Sequence, residues 1–215
     1  GLMFAVNRRI PYVDREMRDG KWLKKEMRAE CYMLTGKTVG LVGIGNIAKK
    51  VAKMLKGFDC DILYYDVFRL PEETEKEMGV RFASLEELMS RSDVVSIHCP
   101  LLESTKGMIN AALIGKMKSS AILINTARGG VVDEQSLAQA LREKKIRGAG
   151  IDSYTVEPIP ADHPFLSLDN CVLTSHNGGG VIDNVVPVTR HAFENIQKFS
   201  LGIAMDPRDV IVPRK

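Results

Sequence analysis

A doubly wound α/β domain, with helices on both faces of a parallel sheet, is the fold this sequence predicts. Two patterns predict it: short runs that are apolar at nearly every position alternate with helical stretches, and the first run leads directly into a glycine turn that opens a helix. Size agrees with both, because 215 residues with 45% hydrophobic and 27% charged side chains make an ordinary globular chain whose core needs no covalent staples.

The apolar runs are 38–42, 61–65, 94–98, 121–125, 149–152 and 171–173. Strands apolar on both faces are covered on both, which calls for parallel pairing and right-handed crossovers. Helical periodicity fills the gaps at 46–56, 72–78, 85–90 and 134–143. In the first of these helices Ile47, Val51, Leu55 and Phe58 share a face, and Lys49, Lys50, Lys53 and Lys56 form a solvated one. Ahead of the first strand, Leu2, Val6 and Ile10 have helical spacing with no capping residue before them, so the chain reads as truncated at its front. Ile10-Pro11 ends or bends that helix, and a charged helical or irregular arm from Asp14 to Met27 carries the single Trp22. A last helix near 186–199 keeps Pro187 in its first turn and spaces Thr189, Phe193, Ile196 and Phe199 for burial, before a tail from Leu201 to Lys215 with Pro207 and Pro213.

Several function classes drop out. Cys31, Cys60, Cys99 and Cys171 form no C-x-x-C pair and have no histidine at metal-ligand spacing, which argues against a disulfide framework or a metal site and for a reducing, cytoplasmic setting. No apolar run approaches the roughly 20 residues that span a bilayer, and the first residues lack a signal peptide's pattern. A net charge of +3 spread along the chain makes no stripe for nucleic acid.

The chemistry begins at Gly43-Ile44-Gly45-Asn46-Ile47-Ala48, a G-x-G-x-x-A turn between strand and helix. Gly43 permits the tight turn, Gly45 lets the backbone approach a pyrophosphate, and Ala48 lets the helix pack on the strand. Free N–H groups at the helix start favour phosphate. The next run ends in Asp66, 23 residues after Gly43, where a carboxylate accepts from both ribose hydroxyls and repels a 2′-phosphate. The expected cofactor is therefore NAD rather than NADP, a preference that Arg69, three residues on, is placed to soften.

Arg128 follows the run ending at Asn125, with Gly129-Gly130 behind it; at that end of a parallel sheet an arginine is placed to grip a carboxylate. Glu157 and His176 follow the next two runs. Together they offer an anion holder, a proton donor matched to neutral pH and a carboxylate to tune it, the needs of a hydride-transfer enzyme. His98, His163 and His191 have no such company and read as structural.

With these stretches in view, the sequence resembles the NAD-dependent D-isomer-specific 2-hydroxyacid dehydrogenases. The likeness runs through Gly43 to Ala48, Met117 to Asp133, Val156-Glu157-Pro158 and Leu173 to Gly179, and covers nearly the whole chain. It implies that Arg128 binds the carboxylate and carbonyl of a 2-hydroxy or 2-keto acid, that His176 is the acid/base and that Glu157 is its partner. By the same likeness Asn46, Ile47, Asp66, Cys99, Pro100, Thr126, Ala127, Asp152, His176 and Gly178 line the cofactor. Three positions depart from the family's pattern: Ala48 for the third glycine, Ser175 for a proline and Asn177 for an aliphatic residue. The resemblance further implies a homodimer formed through the arm, and a second, substrate-selecting lobe built mainly from chain preceding residue 1. The implied division is 1–30 as helical arm, 31–183 as NAD-binding domain and 184–215 as interdomain helix and tail returning to that lobe. A non-catalytic, NAD-dependent binding protein of the corepressor type shares the fold and is the alternative.

Overall fold

Seven parallel strands form one sheet in the computed structural model, which describes residues 1–210. Their order is β3-β2-β1-β4-β5-β6-β7, with β1 (Thr38–Val42), β2 (Asp61–Tyr65), β3 (Val80–Phe82), β4 (Val94–Ile97), β5 (Ile122–Asn125), β6 (Gly148–Ile151) and β7 (Cys171–Leu173). The register is continuous across the centre: Val39 faces Ile62 on one side and Val94 on the other, and Val94 faces Ile122. All six expected runs are strands, and β3 is an addition. It is a three-residue edge strand with Arg81 and Phe82 exposed, so it lacks the unbroken apolar run of its inner neighbours.

Side chains alternate between two cores, as the period of two in a strand requires. Val39, Leu41, Ile62, Tyr64, Ile122 and Ile124 pack with Val6 of α1 (Leu2–Asn7) and with Ala48, Ala52 and Leu55 of α4 (Asn46–Leu55). Val42, Leu63, Val95, Ile97 and Leu123 pack on the opposite face with α6 (Leu85–Arg91), α7 (Ala111–Ile114) and α8 (Glu134–Arg142). Local chemistry starts these helices: Ser84 accepts from Glu87 N at 3.2 Å, Asn110 from Leu113 N at 3.2 Å, and Asp133 from the amides of Gln135 and Ser136 at 3.1 Å. α5 (Glu72–Met78) closes on Gly79 at φ +63°.

Several expectations are corrected. In α4 the buried face is Ala48, Ala52 and Leu55, while Ile47 is 70% exposed. The small alanines let the helix lie close to the sheet, which turns Ile47 outward. The first helix stops at Asn7, and Pro11 opens α2 (Ile10–Arg18), because proline fits a helix's first turn; Ile10 is exposed. The arm beyond is partly helical and partly irregular, helical to Arg18 and again in α3 (Met27–Glu30), in keeping with the expectation. The last helix, α9 (Ile182–Ser200), starts four residues before the expected 186, so Pro187 lies inside it.

The chain divides into two compact units, 1–175 and 176 onward, the first containing α1 to α8 and the whole sheet. In the second, α9 is followed by a 3-10 turn at Pro207–Asp209, which His191 Nε2 joins through Asp209 Oδ1 at 2.9 Å. Thr189, Phe193, Ile196 and Phe199, expected to be buried, are exposed. A unit this short holds too little chain to cover them. Of the expected tail, Pro213 lies outside the described residues.

Just beyond β4, His98 is half-buried with its Nε2 2.9 Å from Ser96 Oγ, and burial holds its pKa down at about 4. The folded state therefore keeps the ring neutral, whereas the unfolded chain takes up a proton near the ordinary histidine value of about 6.5. The stability this contributes is complete above that value and is lost as pH falls toward 4. Melting temperature should drop across this window, and His98→Gln should make the drop shallower; equal slopes in the two proteins would refute a buried neutral imidazole.

Candidate active site

Parallel pairing brings the C-terminal ends of all seven strands to one edge, and the expected cofactor residues of the first unit gather there. Gly43 leaves β1 at φ +95°, donates to Tyr65 O at 2.7 Å, and lies so close to β4's exit that an added Cβ would stand 2.8 Å from Cys99 N. Glycine is required on both counts. Gly45 is the N-cap of α4 and provides no side-chain cap, and the space where its Cβ would point is open. Helix N–H groups are thus presented to a cradle that fits a pyrophosphate. Asn46 and Ile47, the first two residues of α4, are exposed beside it.

Asp66 stands at the exit of β2, half-buried. Its Oδ2 accepts from Ile44 N at 2.8 Å and its Oδ1 from Phe68 N at 3.2 Å. The carboxylate is therefore fixed directly to the glycine turn, and each oxygen keeps a second lone pair for a ligand. Cys99 and Pro100 follow β4, half-buried and exposed respectively, and burial lifts the Cys99 thiol to about 11, so it stays protonated and takes no nucleophilic part at neutral pH.

The loop after β5 is held by the side chain of Asn125. Buried Asn125 donates to Arg128 O at 3.0 Å and accepts from Ala127 N at 3.1 Å, pinning Thr126, Ala127 and Arg128 into one shape. Behind it, a Cβ on Gly129 would sit 1.9 Å from Tyr154 C, whereas one on Gly130 would meet only the Leu101 side chain at 3.2 Å. Arg128 itself is exposed, donates to Ala127 O at 2.6 Å, and forms no ion pair among the described residues. A surface salt bridge is thereby set aside as its role.

The neighbouring loop carries Glu157, exposed, whose Oε1 accepts from Tyr154 N at 2.9 Å. Tyr154 in turn donates to Thr174 O at 2.8 Å, and buried Asp152 accepts from Thr174 Oγ1 at 2.5 Å, so the exits of β6 and β7 are tied together. His176 and Gly178 belong to the second unit. Both are exposed, and His176 has a left-handed backbone with φ 54°, a conformation a β-carbon makes costly and one found at functional positions.

The first unit thus brings together Gly43, Gly45, Asn46, Ile47, Asp66, Cys99, Pro100, Thr126, Ala127, Arg128, Asp152 and Glu157 along one sheet edge. Sequence reasoning missed Asn125 as the loop's staple, although an asparagine at a strand exit is a known turn-maker. It also missed that His163, buried between Tyr154 and Phe165, has a carboxylate partner: Glu134 Oε2 lies 3.3 Å from its Nε2. Glu134 Oε1 accepts from Thr155 N at 2.7 Å, so this pair props the loop that bears Glu157.

Residues 1–178 match the model of the D-isomer specific 2-hydroxyacid dehydrogenase, NAD binding domain. The chain belongs to this family. A glyoxylate reductase of Korarchaeum cryptofilum is 43% identical to it over 203 residues, 94% of this chain and 61% of that protein. A D-3-phosphoglycerate dehydrogenase of Archaeoglobus fulgidus is 36% identical over 202 residues, 94% and 38% of the two chains. The solved structure of D-lactate dehydrogenase with NAD+ from Lactobacillus jensenii superposes with a TM-score of 0.85 at 28% identity, covering 99% of this chain and 66% of that one. The chain spans less than two thirds of the length of these relatives. Among the described residues no helix is long and apolar enough to cross a membrane, and no cluster of three metal-ligating side chains is present.

The two glycines of the Arg128 loop separate close packing from mere flexibility. Gly129→Ala should destabilise the fold by about 3 kcal/mol or more, since its Cβ meets backbone that cannot yield, and Gly130→Ala by about 1 kcal/mol or less, since a leucine tip can shift. Urea denaturation of the two variants measures the difference; equal losses would contradict the packing.

Proposed function

We propose that the protein is the NAD-binding part of a dehydrogenase that transfers a hydride between NAD(H) and a D-2-hydroxy acid/2-keto acid pair. The observation that carries this reading is the shared sheet edge, where a bare helix start beside Asp66 and the exposed Arg128 on its stapled loop stand together. NADH, when bound, supplies the hydride. Asp66 accepts from the ribose hydroxyls with its remaining lone pairs and repels a 2′-phosphate.

Arg128 has spent one donor on Ala127 O, and the rest of its fork is available to hold a substrate carboxylate in two parallel hydrogen bonds. In this reading His176 delivers a proton to the carbonyl oxygen during reduction, and Glu157, steadied by the Tyr154 amide, is the carboxylate that keeps the imidazole charged for that step. Oxidation runs the other way and needs the neutral ring. Residues 1–30 serve as arm, 31–183 as NAD-binding domain, and 184–215 as the link to a substrate lobe. The arm also supports a homodimer, because Ile10, Met17 and Trp22 are exposed apolar side chains along it. Four free thiols accord with the cytoplasm.

Calorimetric titration tests the cofactor reading: the chain should bind NADH tightly and NADPH weakly, and Asp66→Ala should lose about tenfold in NADH affinity. A cooperatively folded chain that binds neither would overturn it. For the chemistry, His176→Gln in the full-length protein should lower turnover of a 2-keto acid about a hundredfold or more. Turnover at the wild-type rate in that variant, with the chemical step shown to limit the rate, would remove His176 from that role; no turnover of any 2-keto acid by an NADH-binding full-length protein would favour the corepressor-type alternative.

A further inference from the structure

The 66–71 loop carries one basic residue, Arg69, and the fold has fixed where it goes. Its Nε and Nη2 donate to Glu75 Oε1 and Oε2 at 2.9 and 3.0 Å, a bidentate pair. Glu75 is buried, only 7% exposed, and its Oε1 also accepts from the Tyr64 hydroxyl at 2.6 Å. The same hydroxyl accepts from Leu70 N at 2.8 Å, so the loop's backbone and its guanidinium converge on one tyrosine–glutamate unit. Arg69 also lies over the Phe82 ring, 5.5 Å from its centre.

We propose that Glu75 is a cofactor-specificity residue, which clamps Arg69 and so withholds the loop's guanidinium from a 2′-phosphate. This deepens, and rests on, the reading of the Gly43–Asp66 unit as an NAD site. The charges of Arg69 and Glu75 cancel, which leaves Asp66 to set the sign at the ribose end of the site. Burial is not what silences Arg69, because its side chain is 61% exposed and open to a ligand arriving from solvent. Nor is the pair needed only to hold the loop in place, since the Tyr64 hydroxyl already takes the Leu70 amide. Arg69 and, after it, Tyr64 hold the Glu75 carboxyl below its ordinary range, so the clamp is charged throughout the neutral pH range.

Glu75→Gln tests the proposal, because the amide oxygen still accepts from Tyr64 while the charge that neutralises Arg69 is gone. NADH and NADPH are titrated calorimetrically into the wild-type and variant chains, with AMP and adenosine 2′,5′-bisphosphate as shorter probes of the same difference. The ratio of NADPH to NADH dissociation constants should fall about tenfold in Glu75→Gln, the worth of one released charged hydrogen bond to phosphate. It should return to the wild-type ratio in Glu75→Gln/Arg69→Gln. A change smaller than about twofold in a cooperatively melting Glu75→Gln chain would overturn the proposal, because tenfold is the expected scale. If Glu75→Gln does not fold, Arg69→Gln alone decides: an unchanged ratio is expected of a clamped arginine, and a selective loss of NADPH affinity shows that Arg69 already serves the phosphate and overturns the clamp. A folded wild-type chain that binds neither dinucleotide defeats the NAD reading itself, and the proposal falls with it; binding of NADH with no movement of the ratio defeats the proposal alone.

Discussion

Pairing β1 in parallel with β2 on one side and β4 on the other imposes the geometry from which the site follows. Three chains must leave the sheet at the same edge, and the middle one has nowhere to turn except through the seam between its neighbours. Gly43 makes that turn with a positive φ, its amide on Tyr65 O and its α-carbon against Cys99. Gly45 then leads the chain into α4 and leaves the helix start without a side-chain cap. An anion site is thus a by-product of strand packing. At this switch point, strand order reverses and crossovers diverge to opposite faces, which opens the crevice a dinucleotide needs.

A second constraint operates further along the edge, where the loops after β5 and β6 touch through their backbones. Gly129 lies against the Tyr154 carbonyl unit so closely that the two loops behave as one body. Asn125 sets the shape of the first and Glu134 holds the second through Thr155 N. Arg128 and Glu157 are consequently exposed side chains on rigid supports. That combination suits a ligand site, because the ordering cost is met during folding and is not charged again to binding.

The sheet was legible in the sequence because five inner strands are buried on both faces and have to be apolar at almost every position. β3 was not, since an edge strand with one neighbour escapes that demand and here contains Arg81. The glycine turn and Asp66 were legible because their relation is local, fixed by the length of one strand–helix–strand unit. Contacts that join distant segments left no such trace. His163 and Glu134 are 29 residues apart, and their pairing depends on how the loop after β6 folds back over α8. The face of α4 was misjudged for a related reason: apolar spacing pointed to Ile47, Val51, Leu55 and Phe58, whereas the buried face is lined by alanines whose merit is closeness to the sheet. For α9, the apolar spacing was real, but what covers a stripe is not a property of the stripe.

The rim of the site is held by carboxylates more than by apolar contacts. Glu75 gathers Arg69 and the Tyr64 hydroxyl, Asp152 takes the Thr174 hydroxyl, Glu134 takes the Thr155 amide, and Asp66 takes the amides of Ile44 and Phe68. Each bond ties one strand exit to a neighbouring segment. Loops that must stay wet and polar to receive an anionic ligand cannot be fixed by burying large hydrophobic side chains, so charged acceptors with several lone pairs take over that task. The arrangement also limits the damage to ligand binding from so much negative charge. Glu75 is matched by Arg69, which leaves Asp66 as the carboxylate that the proposed NAD site uses to discriminate between ribose and ribose phosphate.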